Sequence, residues 1–512
     1  MKNNFYNKYQ KKIITKENFI SLRKKYKDKK IILCHGVFDI VHPGHIRHLM
    51  YAKEKADILV VSLTSDVHIK KDIYRPHVPE NLRALNLSAF EIVDYVIIDK
   101  NAEPYELLKK AKPDFFAKGF EYINSKNKKT QTEIEILNSY GGEIIFTPGD
   151  YVNSSSKLIN TSEPDLRYEK IIAILNKYKI KIEDLEKSFK KIKNIEIDVL
   201  GDTIVDSYTY CKMIGGQTKT PTISLLYENQ VNYVGGAGVV AKHISSAGCK
   251  VNFITVLGDD ELKKFVIKDL KKSKVKFNGF IDKLRPTVNK NAYVSESYRL
   301  LKISKLDNSQ INEKIVSSIC KKLKASKSKG VIFSDFRHGI FNKSTINIFK
   351  KNIKKKNKFL SADSQVASWW GNILEYKNFD LITPNEKETR FALNDQVSGI
   401  RSLASRIYDK SGCKLLILKL GKRGLIACLN KKHHSSDSYF TLDSFAKNVV
   451  DPVGAGDALL AYSTITMIAT KCKISSTIIG LLAASCACEK EGNIPITKDD
   501  ILNKISDIKK NI

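Results

Sequence analysis

Residues 31–45 read Ile-Ile-Leu-Cys-His-Gly-Val-Phe-Asp-Ile-Val-His-Pro-Gly-His. The first six form an apolar run that ends in glycine, the pattern of a buried strand. Pro43 stands where a helix would open, at a first-turn position that tolerates its missing N–H. Strand, short loop and helix start thus follow one another without a break. Gly36 lets the amides of the loop after the strand approach a phosphate, and Phe38 and Asp39 complete a Gly-x-Phe-Asp turn. His42 and His45 are three residues apart at the mouth of the helix, so both imidazoles can face one anion beside its positive end. Two imidazoles and helix amides together can stabilise a nucleoside triphosphate as its α-phosphorus becomes five-coordinate. Gly44 leaves room for a nucleotide against the backbone. A lone His-x-x-His is usually coincidence or a metal site; the strand and turn before it make this one specific.

Outward from this stretch, strands are expected at 56–63, 94–99, 112–119 and 142–147, with a helix over 82–93. Strands alternating with helices imply βαβ units and a parallel sheet. Residues 1–30 are polar and lysine-rich, expected as a helical or loose lead-in. The stretch 161–194 has helix-like periodicity and many charges, expected as a connector that packs onto a second domain. A second α/β pattern opens at Ile195-Glu196-Ile197-Asp198 and runs to the end of the chain. The expected domains are therefore 28–160, 161–194 and 195–512. There is no internal repeat.

The second pattern carries its own chemistry at Asp451-Pro452-Val453-Gly454-Ala455-Gly456-Asp457-Ala458-Leu459. A Gly454-Ala455-Gly456 turn offers successive backbone N–H groups as an anion nest. Asp457, directly after it at a helix start, is placed to take a proton from a hydroxyl. Phosphoryl transfer needs little more than positioning, charge stabilisation and such a base.

The 512 residues carry a formal charge of +32, from 87 basic and 55 acidic side chains. Only 12 of the basic residues are arginine, and lysine is spread from end to end. A specific nucleic-acid binder more often clusters its basic residues on one face, so none is expected here; attraction for phosphorylated small molecules fits the same charge. No apolar run reaches the roughly 18–20 residues of a membrane span, and the first residues have no apolar core of a secretory signal. Nine cysteines are scattered with no Cys-x-x-Cys pair and no zinc spacing, as in a reduced compartment. A cytoplasmic enzyme is expected.

Residues 28–160 resemble the cytidylyltransferase-like nucleotidyltransferases, whose signature GxFDxxHxGH matches Gly36 to His45. Thr64-Ser65-Asp66 is followed by Lys70 and Lys71, like that family's substrate-phosphate lysines. Arg75-Pro76 and Arg83 match its RP…R stretch. Lys112-Pro113-Asp114 with Lys118-Gly119-Phe120-Glu121-Tyr122 looks like KPD…KGxDY, with Glu121 in place of Asp. Ser154, Ser155 and Ser156 resemble a closing helix start whose hydroxyls and amides meet phosphates; Asn160 stands where a basic residue is often found. The resemblance implies nucleotide contacts from Gly36, Phe38, Asp39, Gly44, Lys118 and Ser154–Ser156. It implies catalytic roles for Lys70 and Lys71, one of which orients the incoming phosphate, and a substrate contact from Arg83. It points to a heptose-phosphate branch more than a glycerol-phosphate branch.

Residues 195–500 resemble the ribokinase (PfkB) carbohydrate kinases. Besides the Asp457 signature, Gly201-Asp202 and Asp206 look like an opening GDxxxD, with Asp206 toward sugar hydroxyls. Gly235 and Gly236 look like the GGxxxN motif that lines the sugar pocket, with Val239 in place of the Asn. Asp335 belongs to an SDYxxG-like segment. Asn385 and Glu388 match PNxxE, which implies that they hold a magnesium–water network. Gly421 and Gly424 match an LGxxG loop near the ATP phosphates. Two departures stand out: Lys419 occupies the place of a usual Thr before LGxxG, and 361–370 departs from a DPK-like segment.

One known family joins both activities, the bifunctional heptose-7-phosphate kinases and heptose-1-phosphate adenylyltransferases of the lipopolysaccharide route, in the opposite domain order. The resemblance implies an α/β chain: a Rossmann-like nucleotidyltransferase domain, then a ribokinase-like kinase domain. It implies Mg2+, with ATP as substrate and CTP as the alternative for the transferase. The partners are sugar phosphates and nucleoside triphosphates, with no membrane and a homo-oligomer left open. The product expected is an ADP-heptose-like nucleotide sugar for surface polysaccharide. The alternatives are another sugar or polyol route, or a basic nucleic-acid-associated protein with vestigial enzyme domains.

Overall fold

The computed structural model describes residues 8–69, 76–119, 122, 128–147, 167–216, 223–296, 298–353, 358–365, 371–431 and 438–511. It divides the chain into two units, Met1–Asp165 and Leu166–Ile512. In the first, β1 (Ile13–Ile14), β2 (Ile31–Gly36), β3 (Ile58–Thr64), β4 (Tyr95–Asp99), β5 (Phe115–Gly119) and β6 (Glu143–Thr147) form one parallel sheet in the order β1-β4-β3-β2-β5-β6. Its central strands are apolar almost throughout, because helices cover both faces and separate cores lie on either side. The strand order reverses between β2 and β5. In such sheets ligands bind in the crevice at this switch point, outside the carboxyl ends of the strands. The helix Pro43–Glu54 opens there, directly after β2.

The unit begins well before residue 28. Ile13 and Ile14 add an edge strand beside β4, and the helix Lys16–Lys25, capped by Thr15, buries Phe19 completely. Two apolar residues and one phenylalanine are enough to fasten a segment that reads as polar overall. The helix expected over 82–93 runs instead over Glu80–Ser88. The Lys12 ammonium donates to the carbonyls of Phe90 at 3.2 Å and Val93 at 2.8 Å, which holds residues 89–93 as a turn. The strand expected from 112 starts at Phe115, since Lys112 caps the preceding helix in the left-handed conformation.

In the second unit the helices Arg167–Lys177 and Ile182–Ile192 place Ile171, Ile174, Leu185, Phe189 and Ile192 in the core. The strands are β7 (Glu196–Gly201), β8 (Thr203–Gly216), β9 (Ile223–Gly236), β10 (Lys250–Ile254), β11 (Val256–Gly258), β12 (Lys276–Phe277), β13 (Phe280–Asp282), β14 (Asn289–Ser295), β15 (Tyr298–Lys305), β16 (Gly330–Asp335), β17 (Phe359–Ser364), β18 (Leu381–Ile382), β19 (Leu415–Lys419), β20 (Leu425–Cys428) and β21 (Tyr439–Leu442). The main sheet runs β12-β10-β7-β16-β17-β18-β19-β20-β21, parallel as far as β19 and antiparallel beyond it. A separate sheet, β15-β14-β8-β9, grows out of the end of β7. Its long strands expose Met213, Leu226, Tyr227, Tyr298 and Ile303. The helices Ala455–Thr470 and Lys473–Cys488 are apolar nearly all round because they lie inside the unit. Among the described residues, no helix is long and apolar enough to cross a membrane. Asp202, Asp335, Asp363 and Lys419 all stand at the carboxyl ends of β7, β16, β17 and β19.

Candidate functional site

In the first unit, His42 is the N-cap of its helix, and its Nδ1 accepts from the Gly44 N–H at 3.2 Å. That bond leaves the ring proton on Nε2, so His42 can donate as a neutral imidazole; burial lowers its pKa. The His42 and His45 rings lie 3.9 Å apart between centroids. A Cβ at Gly44 would stand 2.9 Å from the His42 ring, so a side chain there would displace it. Phe38 is buried, with a left-handed φ of 47° that non-glycine residues adopt only when their surroundings hold them. Its ring packs on His45 at 5.1 Å and covers Gly36.

Two residues expected to touch ligand are turned inward. Asp39 is buried and accepts from the His77 and Val78 amides at 3.1 and 2.9 Å. Arg83 has no accessible surface. It donates to the carbonyls of Val78, Val37 and Thr64 and to Asp66 Oδ1 at 2.6 Å. It is wrapped by the loops after β2 and β3 and presents no surface to a substrate, contrary to the substrate contact expected of it. Arg83→Met strands Asp66 without its buried cation, and should cost the first unit roughly 3–5 kcal/mol, read as a lower urea midpoint for its unfolding.

Lys118, at the end of β5, is held by Glu133 and by Thr130 Oγ1 at 3.1 Å, and lies 4.6 Å from the Tyr122 ring centre. Glu133 is buried and its pKa is raised, first by burial. Nothing in the sequence pattern singled out Thr130 or Glu133. Lys70, Lys71, Ser154, Ser155 and Ser156 lie outside the described residues, as do Arg75, Phe120 and Glu121.

His35 and His48 flank the motif. His35 lies between Ser62 Oγ at 3.0 Å and Thr64 Oγ1 at 3.2 Å, and His48 Nδ1 is 2.9 Å from Thr147 Oγ1. Burial pushes both down to about 4, with the Lys118 charge adding at His35. An unfolded imidazole titrates near ~6.5, so the unfolded chain takes up these protons first as the pH falls. Their stabilising contribution is full above about 6.5 and is lost through 4. Hydrogen exchange at the β2 and β3 amides should therefore accelerate from pH 6.5 toward 4, beyond the intrinsic pH effect, and less so in His48→Gln.

In the second unit, Gly454 precedes the helix Ala455–Thr470 with a φ of 79°, a conformation that suits glycine. The first-turn amides of Gly456 and Asp457 have no acceptor within the helix and stand at its positive end, while that of Ala455 makes a long bond to Pro452 O at 3.4 Å. Asp457 is buried, and its pKa is raised well above its ordinary value. Burial is the main cause, then the charge of Asp363, with Asp206 and Glu388 adding and Lys419 opposing. Lys419 donates to Asp363 Oδ2 at 2.6 Å.

Asn385 and Glu388 form a reciprocal cap. Glu388 accepts from the Asn385 amide and from Asn385 Nδ2, both at 2.7 Å, and Asn385 Oδ1 accepts from the Glu388 amide at 2.8 Å. Burial, with Asp363 and Asp335 adding, raises Glu388 to about 7. Gly421 and Gly424 make the turn after β19, closed by Gly424 N–H to Gly421 O at 3.0 Å and Leu420 N–H to Gly424 O at 2.8 Å.

Asn493, which the sequence did not flag, links Asp206 to the Gly454 turn. Its Nδ2 donates to Asp206 Oδ2 at 2.6 Å. Its Oδ1 lies 2.8 Å from where a Cβ on Gly454 would stand. Gly235 is required by the same contact, since a Cβ there would fall 2.1 Å from Asp206 Oδ2; Gly236 follows as the residue before the helix Ala237–Ser246. Lys290 on the neighbouring strand β14 and Lys302 on β15 beyond it act on Asp206. The donors for magnesium fit its habits. Among the described residues no three carboxylate, imidazole or thiol groups converge as a cage. Magnesium typically takes one or two carboxylates and completes its shell with phosphate oxygens and water. Asp363 and Glu388 are both raised, first by burial, with the charge of Asp363 adding at Glu388, and a bound cation would relieve that crowding.

A family model described as pfkB family carbohydrate kinase matches residues 194–499, more than half of the chain. The chain belongs to the pfkB carbohydrate kinases. A second family model, cytidylyltransferase-like, matches 33–322. It takes in β2 to β6 of the first unit, a nucleotidyltransferase-like domain, and overlaps the kinase match beyond residue 194. Bifunctional protein HldE of Campylobacter jejuni subsp. doylei is 46% identical over 116 residues, 22% of this chain and 25% of that protein. Bifunctional protein HldE of Desulfatibacillum aliphaticivorans is 23% identical over 316 residues, 60% of this chain and 63% of that one. The chain thus spans from a quarter to less than two thirds of the length of these curated relatives. Phosphofructokinase-2 from Escherichia coli, in complex with potassium, superposes with a TM-score of 0.52 at 18% identity, covering 62% of this chain and 99% of that one. The same enzyme with fructose-6-phosphate gives 0.51 at 18%, with the same coverage. At these identities the likeness is one of fold, and that fold is ribokinase-like.

Proposed function

We propose that this pfkB-family chain is a bifunctional enzyme, an ATP-dependent kinase for a sugar or sugar phosphate and a sugar-phosphate nucleotidyltransferase. In the kinase, Asp457 takes the proton from the acceptor hydroxyl as its oxygen attacks the γ-phosphorus of ATP, and ADP leaves. The Gly454–Gly456 amides hold the charge that develops on the phosphoryl oxygens, with Gly421 and Gly424 along the nucleotide. Asp206 and the Gly235–Gly236 backbone receive the sugar. Asn385 and Glu388, with Asp363, would hold Mg2+ through water, and the ion would screen the triphosphate.

The observation that carries the kinase reading is Asn493. One side chain hydrogen-bonds Asp206 and abuts Gly454, so the sugar side and the anion nest are joined in one pocket. Lys290 and Lys302 beside Asp206 favour an acceptor that already carries a phosphate.

In the transferase, a sugar 1-phosphate oxygen attacks the α-phosphorus of the nucleoside triphosphate and pyrophosphate leaves. His42 donates from Nε2, and His45, whose ring lies tilted beside it, shares the developing charge. We assign Lys70 or Lys71 to the incoming phosphate, and Lys118 with Ser154–Ser156 to the nucleotide. Family resemblance favours ATP and a heptose phosphate, hence an ADP-heptose-like product for surface polysaccharide; CTP with another sugar or polyol phosphate is the alternative. Family resemblance implies a phosphatase between the two steps, which removes the first phosphate where the acceptor is already a sugar phosphate. Both reactions draw on nucleoside triphosphate, so the cytoplasm is the expected compartment. Incubation of the full chain with a panel of sugar phosphates and each nucleoside triphosphate, with products weighed by mass spectrometry, tests the assignment.

A further inference from the structure

Lys419 stands out among the groups that the proposed chemistry does not use. It replaces the threonine expected before the LGxxG loop, and its side chain enters the kinase site. Its backbone is fixed on the neighbouring motif: the amide donates to Pro384 O at 2.9 Å, and residue 419 bridges to Asn385. From there the stem runs beneath the anion nest. A Cβ at Gly456 would lie 3.0 Å from Lys419 Nζ and 3.7 Å from its Cδ. The ammonium ends on Asp363 Oδ2 at 2.6 Å.

The charged groups that bear on it come from every wall of the pocket: Asp363 on β17, Glu388 on the helix Glu386–Leu393, and Asp457 on the helix Ala455–Thr470. Asp206 on β8 and Asp335 on β16 add to the same negative field through Asp457 and Glu388. In that field a triphosphate, itself anionic, must come close to a carboxylate base. Backbone amides supply only partial charges. A full positive charge under Gly456, the last residue of the nest, changes the balance, and it is worth more in a water-poor pocket than in bulk water.

We propose that Lys419 is a positioning residue for phosphoryl transfer, a tethered cation anchored on Asp363 beneath Gly456 that lets the Asp457 carboxylate and the γ-phosphate approach each other across the Gly454–Gly456 turn. This rests on the kinase reading of Asp457. A merely structural lysine would hold β17 to β19 and leave turnover to others. A positioning cation acts on the transfer step, and a small free amine can replace it.

The test uses the full chain with Mg-ATP and the acceptor that the wild type phosphorylates best. Lys419→Met, which keeps the stem, should lower kcat by roughly 100-fold and leave KM for ATP within about threefold. Lys419→Ala should fall as far, and ethylammonium at tens of millimolar should return about tenfold of the loss. Tetramethylammonium at the same ionic strength, which cannot donate a hydrogen bond, should return none. Turnover within about threefold of wild type in both variants, or a loss that no amine relieves while the unfolding midpoint falls with it, overturns the assignment of Lys419 alone. A wild-type chain that phosphorylates no acceptor in the panel overturns the kinase reading and Lys419 together.

Discussion

Asp457→Asn is expected to abolish sugar phosphorylation, with kcat down roughly 10³-fold, while nucleotidyl transfer by the same protein is unchanged. The amide keeps the size and the place of the carboxylate at the start of its helix but cannot accept the hydroxyl proton. Loss of fold does not compete as an explanation. Asp457 is pushed up by burial and by Asp363, Asp206 and Glu388, so the pocket disfavours its charged form. Neutralising it relieves that repulsion, and the thermal midpoint of the second unit should hold or rise. A chromatographic assay of sugar phosphorylation, run beside a pyrophosphate-release assay for the transferase, reads both halves in one preparation. Equal loss in the two assays would contradict separate pockets.

The converse variant is His42→Ala with His45→Ala. Nucleotidyl transfer should fall roughly 10²–10³-fold or more, the scale of removing an oriented donor from a developing oxyanion. Phosphorylation of the acceptor should stay at the wild-type rate. The Gly44 N–H occupies Nδ1 of His42, so the neutral ring carries its proton on Nε2, where it could be donated to a phosphate. His42→Gln, which can still donate, should therefore retain more activity than His42→Ala. KM for the nucleotide should move less than kcat in both, because the charge these rings meet appears in the transition state.

Much of this was legible before any coordinates. β2 and the helix after it could be placed to the residue because an apolar run, a glycine turn and a proline at a helix start are local signals that agree with one another. The same holds for Gly454 to Asp457, where a left-handed glycine and an open helix end follow from neighbours in sequence. What escaped depends on partners far apart in the chain. Arg83 reads as a ligand-binding arginine, and only the carbonyls of Val37, Thr64 and Val78 around it reveal a loop clasp. Asp39 likewise anchors residues 77 and 78. Asn493 is an ordinary turn asparagine until it meets Asp206, 287 residues away. Lys419 was visible only as an exception to a pattern. The lead-in at 13–25 was hidden by its lysines, since the burial of Phe19 and the pairing of Ile13 with Val96 are tertiary facts.

The most direct measurement follows the fate of ³²P from γ-labelled and α-labelled nucleoside triphosphate with the wild type and the two sets of variants, across the panel of sugar phosphates. The account predicts that label from the γ-position appears in a phosphorylated sugar, and disappears only with Asp457→Asn. Label from the α-position should appear in a nucleotide sugar, and disappear only with the paired histidine variant. Transfer of neither label by the wild type, or loss of both through either set of substitutions, would contradict two independent phosphate-handling pockets on one polypeptide.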